Sequence, residues 1–169
     1  MVVVAQQQKH QKGPPHNLKR INKNGEGTSI DVRLMVFSDG GARGNPGPAA
    51  AAFLILSEEG RILKTHRRFI GLCTNNQAEY RALIAALESA AALNSEEVTC
   101  HLDSELVVKQ LTGEYAVKNS ELSLLWRKVR ELRKHFKEVK FVNVPRTNSF
   151  IQRADELVNQ TLDEQTRMK

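Results

Sequence analysis

With 169 residues the chain is long enough for one domain with its own core, and with two cysteines it is no disulfide framework. Its formal charge of +6 favours an anionic partner, most simply nucleic acid, and no apolar run is long enough to span a bilayer. The opening Met1-Val2-Val3-Val4-Ala5 gives way to polar residues and lacks the apolar core of a secretory signal. A cytoplasmic protein with Cys73 and Cys100 reduced is therefore expected.

Residues 1–30 carry Lys9, Lys12, Lys19, Arg20 and Lys23 against Glu26 alone, and they are rich in Gln, Asn, Gly and Pro without apolar periodicity. They read as a disordered basic tail, or as an arm adding nonspecific affinity for phosphates. The folded domain is expected over 31–169. Leu34–Ser38 is a short apolar run that reads as a buried strand, followed by the Gly- and Pro-rich stretch Gly40–Pro48. Asp39 is thereby expected where the strand ends and a tight loop begins, either solvated in a turn or aimed into a cleft. Ala49–Ser57 and Arg61–Ile70 read as two further strands joined by a hairpin at Glu58-Glu59-Gly60, making an antiparallel meander.

Thr74 with Gln77 three residues on forms a capping box, which predicts a helix from there to about Leu93. Glu79, Leu83, Ala86, Leu87 and Ala90 share a face of it. A carboxylate in that stripe is costly unless paired, hydrogen-bonded or on a metal, or else it lies at the stripe's edge near the helix N-terminus. Val98–Asp103 is a fourth strand ending in an acid, and Glu105–Leu111 a short helix that Asp103 could merely cap. Leu122, Leu125, Trp126, Val129 and Leu132 mark an amphipathic helix from about Ser120 to His135, with Trp126 as a core anchor. Val139–Val144 is a fifth strand. Pro145–Phe150 is a loop, and a last helix runs from about Gln152 to Glu164, where Ile151, Asp155, Val158 and Leu162 share one face.

Four acids thus stand near strand ends or helix starts, and together they suggest one oxygen-ligand cluster. Hard divalent ions such as Mg²⁺ choose carboxylates, and two such ions can serve phosphodiester cleavage. Ser38-Asp39-Gly40-Gly41-Ala42-Arg43-Gly44-Asn45-Pro46-Gly47-Pro48, Thr74-Asn75-Asn76-Gln77-Ala78-Glu79, Leu102-Asp103-Ser104 and Arg153-Ala154-Asp155-Glu156-Leu157 resemble the successive motifs of type 1 ribonuclease H, over roughly residues 33 to 163. The resemblance implies an α/β fold of the ribonuclease H-like kind, a five-stranded mixed sheet flanked by helices. It implies a monomeric endoribonuclease that hydrolyses the RNA strand of RNA–DNA hybrids, with double-stranded RNA a further candidate substrate, leaving 5′-phosphate and 3′-hydroxyl ends.

By the same resemblance Asp39, Glu79, Asp103 and Asp155 would be the catalytic metal ligands for Mg²⁺ or Mn²⁺, two ions per site. Asp39 would bridge both ions, Asp155 would help hold the water-activating one, and Glu79 and Asp103 would hold the other. Gly41, Asn45, Asn76 and Glu79 would line the groove for the RNA strand and its 2′-hydroxyls, Thr74 would grip a DNA phosphate, and Arg146 would bind substrate.

Three features depart from the family pattern. No histidine lies between Val144 and Asp155, Ile151 stands where many members have Asn, and the Lys-rich protrusion of some members is missing, as in a compact archaeal or bacterial subtype. Arg127, Lys128, Arg130, Arg133 and Lys134 read as a solvated helix face. Rival readings are a same-fold nuclease for double-stranded RNA or DNA junctions, and a nucleic-acid-binding module without catalysis.

Overall fold

The computed structural model describes residues 33–168 and two short strands before them, β1 (Arg20–Ile21) and β2 (Gly27–Thr28), which pair antiparallel. The remainder of the expected basic tail lies outside the described residues. The described domain runs β3 (Arg33–Ala42), β4 (Gly47–Ser57), β5 (Ile62–Cys73), α1 (Asn75–Ala92), β6 (Glu97–Leu102), α2 (Glu105–Leu111), α3 (Ser120–Arg133), β7 (Glu138–Asn143) and α4 (Ser149–Arg167).

Five strands form one mixed sheet in the order β5-β4-β3-β6-β7. β3, β4 and β5 are the antiparallel meander, while β6 and β7 add in parallel, each reached through helices. The expected α/β architecture is therefore present. β4 is buried along nearly its whole length, which its unbroken Ala-Ala-Ala-Ala-Phe-Leu-Ile-Leu run permits with a helix on each side.

The two faces of the sheet pack differently. On one, Leu34, Val36, Phe53 and Ile55 meet α1 through Tyr80, Leu83 and Leu87, and α2 and α3 close the same cluster with Val107, Val129 and Leu132. Leu83 and Leu87 have no exposed surface, and each contributes roughly 1.5–3 kcal/mol of burial. On the other face Phe37, Leu54 and Leu56 pack on Ile151 and Ala154 of α4, and Ala50 and Ala52 on Leu157, Val158 and Leu162.

Several expectations change in detail. Asp39 does not end its strand: β3 continues through Gly40, Gly41 and Ala42, paired with Ala51, Ala50 and Ala49 of β4. What ends is the other neighbour, because β6 pairs with β3 only as far as Phe37 opposite His101. Asp39 thus sits where β3 keeps one partner and loses the other, and the missing neighbour opens a notch. Gly40 keeps the strand compatible with α1, since a Cβ there would lie 2.1 Å from Ala78 O and 2.6 Å from Glu79 N.

The capping box at Thr74 is formed on both sides. α4 starts three residues earlier than expected, because Asn148 caps it by accepting from the Phe150 and Ile151 amides. Trp126 packs half-buried against the main core cluster, as an anchor should, with its indole donating to Gln110 O at 3.1 Å and Arg130 lying over its ring. The five cations of the α3 region are exposed, as expected. No helix among the described residues is long and apolar enough to cross a membrane.

Candidate active site

At the end of β6 the chain turns into α2, with Ser104 capping that helix by accepting from the Val107 amide at 3.3 Å. Asp103 is therefore free of the capping role and stands beside Asp39 across the notch. From the other face of the sheet α1 presses its first turns onto Gly40, which carries Glu79 up to the same point. Asp39, Glu79 and Asp103 each place a carboxylate oxygen so that the three lie within 4.8 Å of one another.

Asp155 comes from α4, on the opposite face from α1. It lines the same cleft of about 490 Å³, together with Gly41, Arg43, Asn76, Arg146 and Asn159. Four elements from both faces of the sheet thus supply one acidic site.

Burial separates the acids. Asp39 is 6% exposed and Glu79 8%, whereas Asp155 is exposed, contrary to its expected place in the apolar stripe of α4. The buried side of α4 is Ile151, Ala154, Leu157, Val158, Thr161 and Leu162, and Asp155 lies just outside it, at the cleft edge.

Burial raises the Asp39 carboxyl to about 7, with the negative charges of Asp103 and Asp155 pushing the same way. Glu79 is raised well above the usual carboxylate range, first by burial and then by Asp39. Two carboxylates this close and this dry oppose each other's ionisation, and a cation would relieve that cost. One oxygen of Glu79, Oε2, is buried with no hydrogen-bond partner among the described residues. An orphaned carboxylate oxygen in an oxygen-only ligand set suits a hard divalent ion and nothing softer.

The rim is held by polar contacts. Arg146 Nε approaches Asp103 Oδ2 at 3.5 Å with its side chain 90% exposed. Asn159 Nδ2 donates to Asp155 Oδ2 at 3.3 Å.

Of the residues expected to meet substrate, Gly41, Asn76 and Arg146 line this cleft, and Thr74 and Asn45 do not. Thr74 faces a neighbouring hollow with Leu72, Arg81, Glu121 and Leu125, and its hydroxyl accepts the Gln77 amide. Asn45 Oδ1 accepts from the Asn75 amide and ties the β3–β4 turn to the start of α1. Arg43 and Asn159 are cleft residues that the sequence reading passed over. The signal for Asn159 was its i+4 spacing from Asp155, and that for Arg43 its place inside the first motif. Among the described residues no histidine lines the cleft. His101 stacks on Phe37 with centroids 4.3 Å apart, and its Nδ1 lies 3.0 Å from Val36 O.

Comparison with known proteins agrees with this arrangement. Residues 37–161 match the family model described as reverse transcriptase-like. A curated ribonuclease HI from Halobacterium salinarum is 42% identical over 132 residues, covering 78% of this chain and 65% of that protein. The chain therefore spans somewhat under two thirds of that relative's length. The crystal structure of RNase H1 from the same archaeon superposes with a TM-score of 0.74 at 42% identity, covering 78% of this chain and 98% of that one. An RNase H1 isolated from compost, solved in complex with an RNA/DNA hybrid, gives a TM-score of 0.73 at 40% identity, covering 79% and 99%. With four motifs in order, the five-stranded sheet and this match over most of its length, the chain belongs to the reverse transcriptase-like family and, within it, to the type 1 ribonucleases H.

Proposed function

We propose that this chain is an endoribonuclease that hydrolyses the RNA strand of RNA–DNA hybrids, leaving 5′-phosphate and 3′-hydroxyl ends. Asp39, Glu79, Asp103 and Asp155 would hold two Mg²⁺ or Mn²⁺ ions. The observation that carries this reading is the convergence of three carboxylates within 4.8 Å, two of them buried, in a chain 40% identical to an enzyme solved on an RNA/DNA hybrid. The ions, when bound, supply the positive charge that activates water and stabilises the leaving oxygen.

The chain's own groups do the rest. Asp39, which neighbours the other three acids, would be the ligand the two ions share. Gly41 leaves its backbone open to a close strand, and Asn76, on the first turn of α1, offers an amide to a 2′-hydroxyl, the group that separates RNA from DNA. Arg146 supplies a mobile cation for a phosphate. Thr74, in the hollow beside the cleft, would grip a DNA phosphate while capping α1, and Asn45 would meet the RNA strand while tying the β3–β4 turn to α1.

One chain supplies all four acids, which supports action as a monomer. Both cysteines are free, which suits a reducing compartment such as the cytoplasm.

The test is a matched set of RNA–DNA, RNA–RNA and DNA–DNA duplexes with Mg²⁺, Mn²⁺ or chelator. Ion-dependent cleavage of the RNA strand in the hybrid is expected. Preference for the RNA–RNA duplex would assign the site to double-stranded RNA, and inertness on all three would leave a binding module.

A further inference from the structure

Asp155 is the one exposed acid of the four, and no burial fixes its carboxylate. Its position depends on what surrounds it on α4. Asn159, one turn on, donates from Nδ2 to Asp155 Oδ2 at 3.3 Å. The backbone oxygen of Asn159 lies 3.5 Å from Arg43 Nη2, and the same nitrogen meets Asp163 Oδ1, a further turn along, at 2.6 Å. Arg43 sits in the turn after β3, whose strand carries Asp39 and Gly41. Asp155, Asn159 and Asp163 thus form one stripe on α4, and Arg43 ties that stripe across the cleft to the strand bearing the central acid.

We propose that Asn159 and the Arg43–Asp163 pair are positioning residues: together they brace the cleft wall and hold the Asp155 carboxylate where it can serve a cation. The proposal rests on the reading of Asp155 as a metal ligand. Partners that orient a ligating carboxylate are commonly worth 10–100-fold in metal affinity. Because this brace is exposed, a loss near the lower end, about tenfold, is expected. Its contribution to folding is small, since exposed ion pairs stabilise little.

The experiment measures metal affinity directly. Mn²⁺ is titrated calorimetrically into the full chain bound to a hybrid whose RNA strand alternates ribo- and deoxyribonucleotides, first checked to resist cleavage. The Mn²⁺ concentration for half-maximal cleavage of an ordinary hybrid is measured in parallel. Asn159→Ala, Arg43→Ala and Asp163→Ala are each expected to weaken Mn²⁺ about tenfold with an unchanged melting temperature and with cleavage largely restored at saturating Mn²⁺. Asn159→Gln should recover part of the loss, and the Arg43→Ala/Asp163→Ala double variant should be no worse than either single one.

Asp155→Asn separates the two layers. If it leaves Mn²⁺ binding unchanged, the assignment of Asp155 as a ligand fails. If it weakens Mn²⁺ while Asn159→Ala and Asp163→Ala bind like wild type, the brace fails. If Arg43→Ala alone loses affinity for the hybrid and Asp163→Ala does not, Arg43 is a direct phosphate contact and the brace is likewise overturned.

Discussion

The two helices that deliver acids to the cleft do so in opposite ways. α1 brings Glu79 through packing: its first turns lie against Gly40 with no room for a Cβ, and its carboxylate ends 8% exposed next to a buried Asp39. α4 brings Asp155 on its solvent side, where one side-chain amide and an arginine clamp stand in for a packed surround. Asp103 is intermediate, its side chain 13% exposed and facing an arginine that is almost wholly in solvent. The inner pair is fixed by the core and is costly to ionise without a cation. The outer pair lies nearer solvent, and its position can be tuned by weak contacts. On the proposed function, a site rigid at its centre that admits a bulky duplex at its edge benefits from both.

The sharpest way to break this comparison is Asp39→Asn. A neutral amide is a poor partner for hard cations, so cleavage is expected to fall below detection in Mg²⁺ while the fold persists. Near wild-type turnover by the variant would remove Asp39 from the mechanism. Gly40→Ala comes next. Its methyl group would meet Ala78 O at 2.1 Å, so α1 must retreat and take Glu79 with it. Destabilisation of about 1–3 kcal/mol is expected from overpacking, together with loss of activity of roughly a hundredfold from a displacement on the scale of an ångström. The check is denaturant unfolding beside the cleavage assay. An unperturbed, active Gly40→Ala protein would mean that α1 is not locked against β3 as the structure has it.

A smaller effect concerns stability against pH in the presence of chelator. Folding raises the Asp39 carboxyl from an ordinary carboxylate value to about 7, so between those limits the folded chain binds more protons than the unfolded one. The contribution of this group is therefore most favourable at the acid end and is lost as pH rises towards 7. His66 and His101 are shifted down, mainly by burial, and act in the opposite sense below their ordinary values. The clean quantity is the difference between variants. Asp39→Asn and Glu79→Gln should melt higher than wild type at pH 8 without metal, and the gap should shrink by pH 5. Asp155→Asn, at the exposed rim, should gain less than either, because it removes only one of the charges that push Asp39 up. Adding Mn²⁺ should raise the wild-type melting temperature and leave that of Asp39→Asn nearly unchanged. A rim variant that gained as much as the interior ones would dissolve the distinction between them.

Much of the arrangement was legible in the chain itself, because periodicity and caps report local structure well. Thr74 with Gln77 marked the start of α1, the run Val98–Asp103 marked β6, and the order of elements followed. The end of β3 was misread because Gly40 and Gly41 resemble a turn. Their small size serves packing instead, against Ala78 on one face and near Val158 on the other. Asp155 was placed in the apolar stripe because helical spacing gives a direction but not the width of the buried face. The partner of Asn45 could not be read: its side chain is spent on the backbone amide of Asn75, 30 residues on, and such a pairing depends on how loop and helix meet in space. The pairing of Arg43 with Asp163 spans 120 residues, and no local pattern announces it.

The smallest expected effect belongs to Arg146. Its side chain is 90% exposed and reaches Asp103 only at 3.5 Å, so the pair is worth at most about 1 kcal/mol and Arg146→Ala should leave the melting temperature unchanged. It occupies the loop between β7 and α4, which holds no histidine or carboxylate, and arginine side chains serve as cations rather than proton carriers. It cannot shuttle a proton, so its use must be electrostatic. On the reading above, the cation leaves Asp103 for a phosphate when the hybrid arrives. Arg146→Ala should then weaken hybrid binding a few-fold and lower the dependence of log K on log salt by roughly one phosphate contact, with turnover at saturating hybrid little changed. Metal binding should not weaken, because the variant frees Asp103 of a competing positive charge. Binding isotherms at several salt concentrations, set beside kcat, decide the matter. If kcat falls by the roughly 10²–10⁴-fold typical of a lost acid–base group while binding and its salt slope hold, Arg146 acts in the chemical step, and the rim of this cleft is as exacting as its interior.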